Sequence, residues 1–262
     1  MSKWVRNCVI IGLILLLLGI IATAVSYGIG ITNGGLSRSR ITVDETYGLV
    51  NIQEIKVDIG TGDVTIREGD QFEIHATNVY EEFETKVSGD EWTIQSHKSG
   101  SGFWGFLRNV SFLGWHYEPT VEIVIPKGYT LSKLKLDLGA GNLYIISGDF
   151  EEAKIDVGAG KFTGTNMITG SLDCNAGAGS LVYNGEIHGT AKLDCAAGDI
   201  TLNLNQAEQD FNYNIDCAVG EITIGNSNYS GLGNHKKIEN EADYDMDIDC
   251  GAGEVTIQFT QK

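Results

Sequence analysis

The chain has 262 residues, a length that fits one large domain or two small ones. Its formal net charge of −17 argues against nucleic acid as a partner, because phosphate binding rests on clustered lysine and arginine. Glycine accounts for 34 residues, proline for only 2 and hydrophobic residues for 42%. This composition excludes collagen and proline-rich disordered chains, and it predicts many short strands joined by tight turns.

Residues 1–35 predict a basic start followed by a membrane anchor. Lys3 and Arg6 precede an uncharged run from Cys8 to Ile31, and a membrane-spanning helix needs about 20 apolar residues. A cleaved signal peptide is the alternative, because residues 22–24 have the small-x-small form of a cleavage site. The apolar run continues past that site, so we favour a retained helix with the lipid bilayer as its partner. The order of basic start and apolar run resembles an export signal. We therefore expect a single-pass protein of the cell membrane with its C-terminal body outside the cytoplasm.

Residues 36–130 predict the irregular first part of a β body. Strand-like segments occur at Gly48–Asp58, Gln71–Thr77, Phe83–Val87, Glu91–Gln95 and Thr120–Ile125. Among them lies an aromatic loop, residues 98–119, which is the least strand-like portion of the chain.

The aromatic loop has two interpretations as an ordered segment, and disorder is a third. Exposed aromatic patches mark contacts with partners or membranes, which makes the loop a candidate interaction surface. A cap folded over an open solenoid end is the other interpretation. The candidate residues are Phe103, Trp104, Phe106, Phe112, Trp115 and Tyr117.

A sequence motif, which we name the repeat phrase, recurs throughout residues 131–262, and one further copy precedes them. It reads apolar, Asp or Asn, small apolar, Gly or Ala, any residue, Gly, any residue, apolar. The acidic or amide position holds Asp58, Asp137, Asp156, Asn175, Asp194, Asp216 and Asp249. The second glycine is Gly62, Gly141, Gly160, Gly179, Gly198, Gly220 or Gly253. Three successive steps of 19 residues separate the second to fifth of these glycines, and the later steps of 22 and 33 mark insertions.

Apolar residues alternate with polar ones on both sides of each phrase, which predicts strand, tight turn, strand. Repeats this short cannot bury their own apolar face, so they must stack on one another. The predicted fold is therefore all-β, a solenoid-like stack of strand–turn–strand repeats of about 19 residues, with one N-terminal transmembrane helix. An antiparallel sandwich is the alternative, and the equal steps favour the stack.

Stacking in register would align the aspartates at a spacing of about 4.8 Å. Like charges directly opposite one another destabilise a sheet, so something must offset their repulsion. The structural account is that each carboxylate accepts hydrogen bonds from the amides of its glycine turn. The functional account is calcium, which a second acidic position supports, although the calcium-binding glycine nonapeptide is absent. We favour the structural account and expect no metal. The second acidic position holds Asp63, Asp199, Glu221 and Glu254.

Four cysteines lie in the β body, and Cys195, Cys217 and Cys250 share one position of the repeat. Cys174 lies two places earlier. The shared position is otherwise apolar, which predicts thiols that face the core. A disulfide between Cys195 and Cys217 of neighbouring repeats is the alternative. A zinc site lacks its usual Cys-x-x-Cys or Cys–His spacing.

These features resemble the bacterial toast-rack, or putative-adhesin, β-strand repeat proteins. The resemblance rests on the N-terminal anchor, the strand end Val-Ile-Pro-Lys-Gly, the Asp-x-Gly-x-Gly phrases and the closing segment 248–257. It covers residues 45–262 and implies a fold without established catalytic residues. Some members are anchored accessory proteins of cell-envelope stress systems, so the resemblance implies such a role here.

Nothing in the sequence predicts catalysis. The five histidines are scattered, and neither a His-Glu-x-x-His motif nor a Gly-x-Ser-x-Gly elbow occurs. We expect no enzyme activity and no cofactor. The leading hypothesis is a membrane-anchored extracytoplasmic binding or accessory protein, with another membrane or envelope protein as its partner. An adhesin-like or wall-associated scaffold is the alternative. A wall-polysaccharide lyase would need a cleft with paired acids or a basic residue.

Overall fold

The computed structural model describes residues 40–48, 51–96, 119–229 and 233–260. The anchor predicted in residues 1–35 and the six candidate residues of the aromatic loop lie outside these ranges. Within them, no helix is long and apolar enough to cross a membrane. The strands are β1 (Arg40–Gly48), β2 (Glu54–Gly69), β3 (Phe72–Tyr80), β4 (Glu84–Ser88), β5 (Glu91–Gln95), β6 (Thr120–Pro126), β7 (Thr130–Ile145), β8 (Gly148–Val157), β9 (Lys161–Ala176), β10 (Ser180–Ile187), β11 (Ala191–Cys195), β12 (Asp199–Leu204), β13 (Phe211–Cys217), β14 (Glu221–Ile224), β15 (Ser227–Asn228), β16 (Asn234–Ile238), β17 (Tyr244–Cys250) and β18 (Glu254–Phe259).

The strands stack in two columns. Each rung of the stack contributes one strand, or one half of a long bent strand, to each column. The first column contains, in spatial order, β4, β5, β2, β7, β8, β9, β11, β17, β13 and β16. The second column contains β3, β6, β2, β7, β9, β10, β12, β18, β14 and β15. The long strands β2, β7 and β9 bend and contribute to both columns. Pairing is parallel except at the ends, where β3, β4, β15 and β16 pair antiparallel with their neighbours.

Alternation of side chains explains why these segments form rungs. In β12, Ile200, Leu202 and Leu204 are buried, whereas Thr201 and Asn203 remain partly exposed. Burial of an aliphatic side chain of this size contributes roughly 1.5–3 kcal/mol. The buried residues of successive rungs form one continuous core. The predicted all-β stack of strand–turn–strand rungs is therefore confirmed. The predicted boundary between residues 130 and 131 falls within β7, directly after its first residue and inside one sheet.

The rungs do not stack in chain order. The C-terminal rung, β17 and β18, lies between the rung of β11 and β12 and the rung of β13 and β14. Cys250 is therefore the in-register neighbour of both Cys195 and Cys217. The expectation that Cys195 and Cys217 lie in neighbouring rungs was wrong. The strands β15 and β16 lie in the connection through which the chain returns to this position.

Candidate functional site

The seven predicted turn glycines lie where the backbones of neighbouring rungs approach closely. A Cβ added at Gly141 would lie 2.1 Å from the carbonyl oxygen of Gly62, and one added at Gly253 would lie 2.2 Å from that of Gly198. For all seven glycines, a backbone oxygen of the preceding residue in the series given below lies 2.8 Å or less from such a Cβ. Side chains larger than hydrogen are excluded at these seven positions. The series, in spatial order, is Pro119, Gly62, Gly141, Gly160, Gly179, Gly198, Gly253 and Gly220.

The strands of the first column present two parallel columns of polar side chains, which we name the Lys–Asp face. One column holds, in spatial order, Lys56, Lys135, Lys154, Asp173, Lys192, Asp247 and Asn214. The other, two residues further along each strand, holds Asp58, Asp137, Asp156, Asn175, Asp194, Asp249 and Asp216. The structure thus brings together every residue of the predicted aspartate position. The lysine column was not predicted from the sequence, although the motif Lys-x-Asp precedes four of the turns.

The turn amides do not hydrogen-bond to these carboxylates as the structural account expected. The amide of Gly158 donates to the carbonyl oxygen of Leu138 (2.9 Å), and that of Ala159 donates to Gly139 (2.8 Å). The same pattern joins the turns of the following rungs. The amides are therefore used between rungs, and the carboxylates point outward on the Lys–Asp face.

Side chains on the same face offset part of the repulsion instead. The Asn175 amide donates to Asp156 Oδ1 at 2.5 Å. Lys192 Nζ lies 2.9 Å from the Asp194 carboxylate, and His235 Nδ1 lies 2.6 Å from that of Asp216. Asn175 therefore places a neutral amide among the aspartates and interrupts this column of like charges near its centre.

Two neighbouring rungs, those of β2 and β7, carry charged side chains that form no ion pair with the described residues. In the described part of the chain, the ammonium groups of Lys56 and Lys135 form no ion pair. The side-chain carboxylates of Asp58 and Asp137 form none either. Partial burial, together with the neighbouring charges of Asp58 and Asp156, raises the pKa of the Asp137 carboxyl. The negative charge of Asp137 is therefore disfavoured in the folded protein.

We expect Asp137→Asn to stabilise the protein at neutral pH. A raised carboxyl pKa in the fold means that ionisation opposes folding, so this cost is present above the folded pKa and is lost as the pH falls below it. The gain should be a few tenths to about 1 kcal/mol, the size of one like-charge contact across strands. Urea titrations of dilute protein at pH 7 and pH 3 measure it. Asp70→Asn, in an exposed turn, is the control and should change little; an unchanged difference at pH 3 would contradict the electrostatic cause.

All four described cysteines are free thiols in the core. Cys195 Sγ donates to the carbonyl oxygen of Gly198 at 3.0 Å. Cys250 and Cys217 repeat this bond in their own turns at 3.2 Å. Burial raises the pKa of the Cys250 thiol to about 12, and it raises that of Cys174 well above its ordinary value. All four thiols therefore act as packing residues, and those of Cys195, Cys217 and Cys250 also close their turns.

The rung order predicts which disulfides can form. Cys195 and Cys217 are two rungs apart, about 9.6 Å, which exceeds the roughly 7 Å that a disulfide can span. Slow oxidation of the folded protein by an aromatic disulfide should link Cys250 to one of its two neighbours. Peptide mapping by mass spectrometry identifies the pair, with denatured protein as the control that allows any pairing. A dominant Cys195–Cys217 link in folded protein would show that the rungs stack in chain order.

The outer side of the second column forms a different surface, which we name the hydroxyl–amide face. Thr201, Thr256 and Thr223 are in-register neighbours there. The Asn203 amide donates to Asn184 Oδ1 at 2.8 Å. The second acidic position brings Asp199, Glu254 and Glu221 together at the edge of this face, and Asp63 lies several rungs away. In the described ranges, no group of three or more acidic, histidine or cysteine side chains could hold a metal ion.

One polar cleft, of about 460 Å³, lies beside the connection between β12 and β13. Its walls include Glu186, His188, Asp210, Asp243 and Tyr244. His188 Nε2 lies 3.1 Å from the Glu186 carboxylate, and both side chains are partly exposed to solvent. The cleft is a polar groove with several acidic side chains in its walls, and the sequence did not predict it because these residues are scattered along the chain.

Comparison with known proteins identifies one family model and several solved structures. A model described as Toastrack DUF4097 matches residues 52–185 and 130–258. A putative cell adhesion protein from Clostridium sporogenes is 14% identical, with 85% of this chain and 100% of that chain covered and a TM-score of 0.41. A putative adhesin from Bacteroides fragilis is 12% identical, with 85% and 100% covered and a TM-score of 0.38. A putative lipid binding protein from Parabacteroides distasonis is 14% identical, with 85% and 97% covered and a TM-score of 0.34. No curated protein sequence matches the chain.

Proposed function

The chain belongs to the Toastrack DUF4097 family, and we propose that it is a membrane-anchored, extracytoplasmic binding protein of the bacterial cell envelope. It acts as an accessory partner of another protein, in an envelope-stress response as the resemblance to anchored members implies. The basic start and apolar run of residues 1–35 support the anchor. The β body then works by contact, without a cofactor and without catalysis.

The observation that carries the proposal is the set of charges on the Lys–Asp face that form no ion pair with the residues the structure describes. An ammonium or carboxylate group that lacks a partner in its own chain can gain one from a complementary surface, and such complementarity gives specificity and fast association. Parallel rungs repeat the charges at about 4.8 Å, which makes the surface regular over several rungs. A protein partner with matching charges fits this face better than an anionic membrane does, because the chain carries a net charge of −17.

The test is photo-crosslinking in cells from the centre of the face. A photoreactive residue at Asn175 should give one dominant adduct with an envelope protein, and the same residue at Thr201, on the opposite column, should give little of it. A third probe at Trp104 tests the aromatic loop as an additional contact. Adducts from Thr201 and none from Asn175 would overturn the assignment of the Lys–Asp face.

An adhesin-like or wall-associated role is the second candidate, and the hydroxyl–amide face favours it. Hydroxyl and amide groups in register match the hydroxyl groups of a polysaccharide, and the exposed ring of Tyr144 lies on the same face. Thr201→Ala together with Thr256→Ala should then weaken co-sedimentation with purified cell wall several-fold, since each hydrogen bond contributes roughly 0.5–1.5 kcal/mol. Wild-type protein that stays in the supernatant would remove this candidate.

A further inference from the structure

We propose that the Lys–Asp face pairs with the Lys–Asp face of a second copy of this chain. The pair is a dimer whose two-fold axis runs parallel to the stacking direction of the rungs. The inference rests on the proposed function, because it makes a second copy the protein that occupies the Lys–Asp face and leaves the other surfaces of the pair for the accessory contact with another envelope protein. It assigns to the unpaired lysines and aspartates of the first rungs a role in holding two copies side by side.

The geometry of the face is simple enough to decide the orientation. Lys56, Lys135 and Lys154 form one column, with neighbours about 4.8 Å apart. The column of Asp58, Asp137 and Asp156 runs beside it, about 6.6 Å away, because two residues of a strand separate the columns. The face is therefore a positive stripe beside a negative stripe.

Only one two-fold arrangement makes these stripes complementary. When the axis is parallel to the stripes, rotation exchanges left and right, so the lysines of one copy face the aspartates of the other. When the axis lies across the stripes, lysine faces lysine and aspartate faces aspartate, which is repulsive. A two-fold contact places the same patch on both copies, as closed dimers require. The complementary arrangement also places both β1 strands at the same end of the pair, as two anchors in one membrane need.

The contact is centred on the rungs that contain the unpaired charges. There, Lys56 and Lys135 of one copy meet Asp58 and Asp137 of the other, and none of these side chains has an ion pair to give up in the described part of its own chain. Further along the face the two copies no longer present opposite charges at every rung. Asp173 of one copy meets Asn175 of the other, and Asp247 would meet Asp249. Ion pairs at such a surface are individually weak, so the dimer needs several of them and the proximity that a shared membrane gives.

Net charge opposes the dimer and sets the conditions for observing it. Two copies of charge −17 repel one another. At physiological ionic strength this repulsion is screened beyond about 8 Å, whereas pairs in contact are screened less. Association should therefore persist near 0.15 M salt and weaken near 1 M, where contact pairs are screened as well.

A charge-swap experiment tests the arrangement. One variant carries Lys56→Glu and Lys135→Glu, and the other carries Asp58→Lys and Asp137→Lys. Full-length chains with a donor or acceptor dye at the C-terminus are reconstituted in neutral lipid vesicles, and energy transfer between copies is measured against dilution. Each variant alone should self-associate roughly tenfold or more weakly than the wild type, because its facing stripes then have one sign.

The mixture of the two variants should restore association, since the glutamates of the first then face the lysines of the second. A matched control, Lys127→Glu with Lys161→Glu, makes the same charge change away from the Lys–Asp face and should leave association unchanged. Circular dichroism melting checks that each variant folds. Failure of the mixture to associate, or wild-type copies that stay apart, would overturn the dimer.

The outcomes also separate this inference from the proposed function. Monomeric wild type together with a strong Asn175 adduct to a different envelope protein would leave the binding role and remove the dimer. Monomeric wild type without any adduct from Asn175 would remove both.

Discussion

Gly141→Ala should lower the free energy of unfolding by roughly 3–4 kcal/mol. Gly141 has a φ of +112°, which L side chains rarely adopt. A Cβ there would lie 2.1 Å from the carbonyl oxygen of Gly62 and 2.8 Å from its amide nitrogen. Both contacts are to backbone of the neighbouring rung, so neither can be relieved by rotating a side chain. The two rungs must move apart, which weakens the pairing of β2 with β7.

Gly128→Ala is the matched control for this substitution. Gly128 has a φ of +68°, and nothing lies within 4 Å of a Cβ built there. Its replacement should cost only the backbone strain of a left-handed residue, about 1–2 kcal/mol. Urea denaturation compares the two variants, and melting should show the Gly141 variant about 10 °C below wild type. Equal losses for both variants would mean that backbone strain alone, and not contact between rungs, determines the cost.

The repeat phrase was sufficient to predict the fold because its parts act locally. Alternating apolar residues determine which side of a strand is buried, and a small residue at the turn permits close approach of the next rung. Both properties are present in each copy, from the copy at Asp58 to the copy at Asp249. The alignment of the aspartates followed from them without further information.

The order of the rungs could not be predicted from the phrase, for the same physical reason. Each rung presents a similar apolar interior, so the rung of β17 and β18 fits beside several others. The choice depends on the connections, which the sequence shows only as uneven steps of 22 and 33 residues. The sequence also did not predict which polar side chains of the Lys–Asp face pair with one another, because the pairing depends on which rungs are neighbours. The hydrogen bond from Asn175 to Asp156 is one example.

The position of the C-terminal rung predicts that Ile257→Ala will be among the most destabilising substitutions in the chain. Ile257 is fully buried and lies in register between Leu202 and Ile224. Truncation leaves a cavity between two rungs that the surrounding backbone cannot close, for which losses of about 2–5 kcal/mol are typical. The adjacent Gln258 is exposed, so Gln258→Ala should stay within about 0.5 kcal/mol of wild type. Urea denaturation measures both losses.

Double-mutant cycles then distinguish the inserted rung from a terminal one. Alanine at Ile257 should couple with alanine at Leu202 and with alanine at Ile224, by roughly 0.5–3 kcal/mol each, because both neighbours touch it. Leu202 and Ile224 are two rungs apart, about 9.6 Å, so their own cycle should be additive within about 0.5 kcal/mol. Stacking in chain order requires the reverse, since Leu202 would then lie directly against Ile224. Strong coupling between Leu202 and Ile224, with none between Ile257 and Ile224, would place the C-terminal rung elsewhere. The three coupling free energies together therefore determine the order of the rungs.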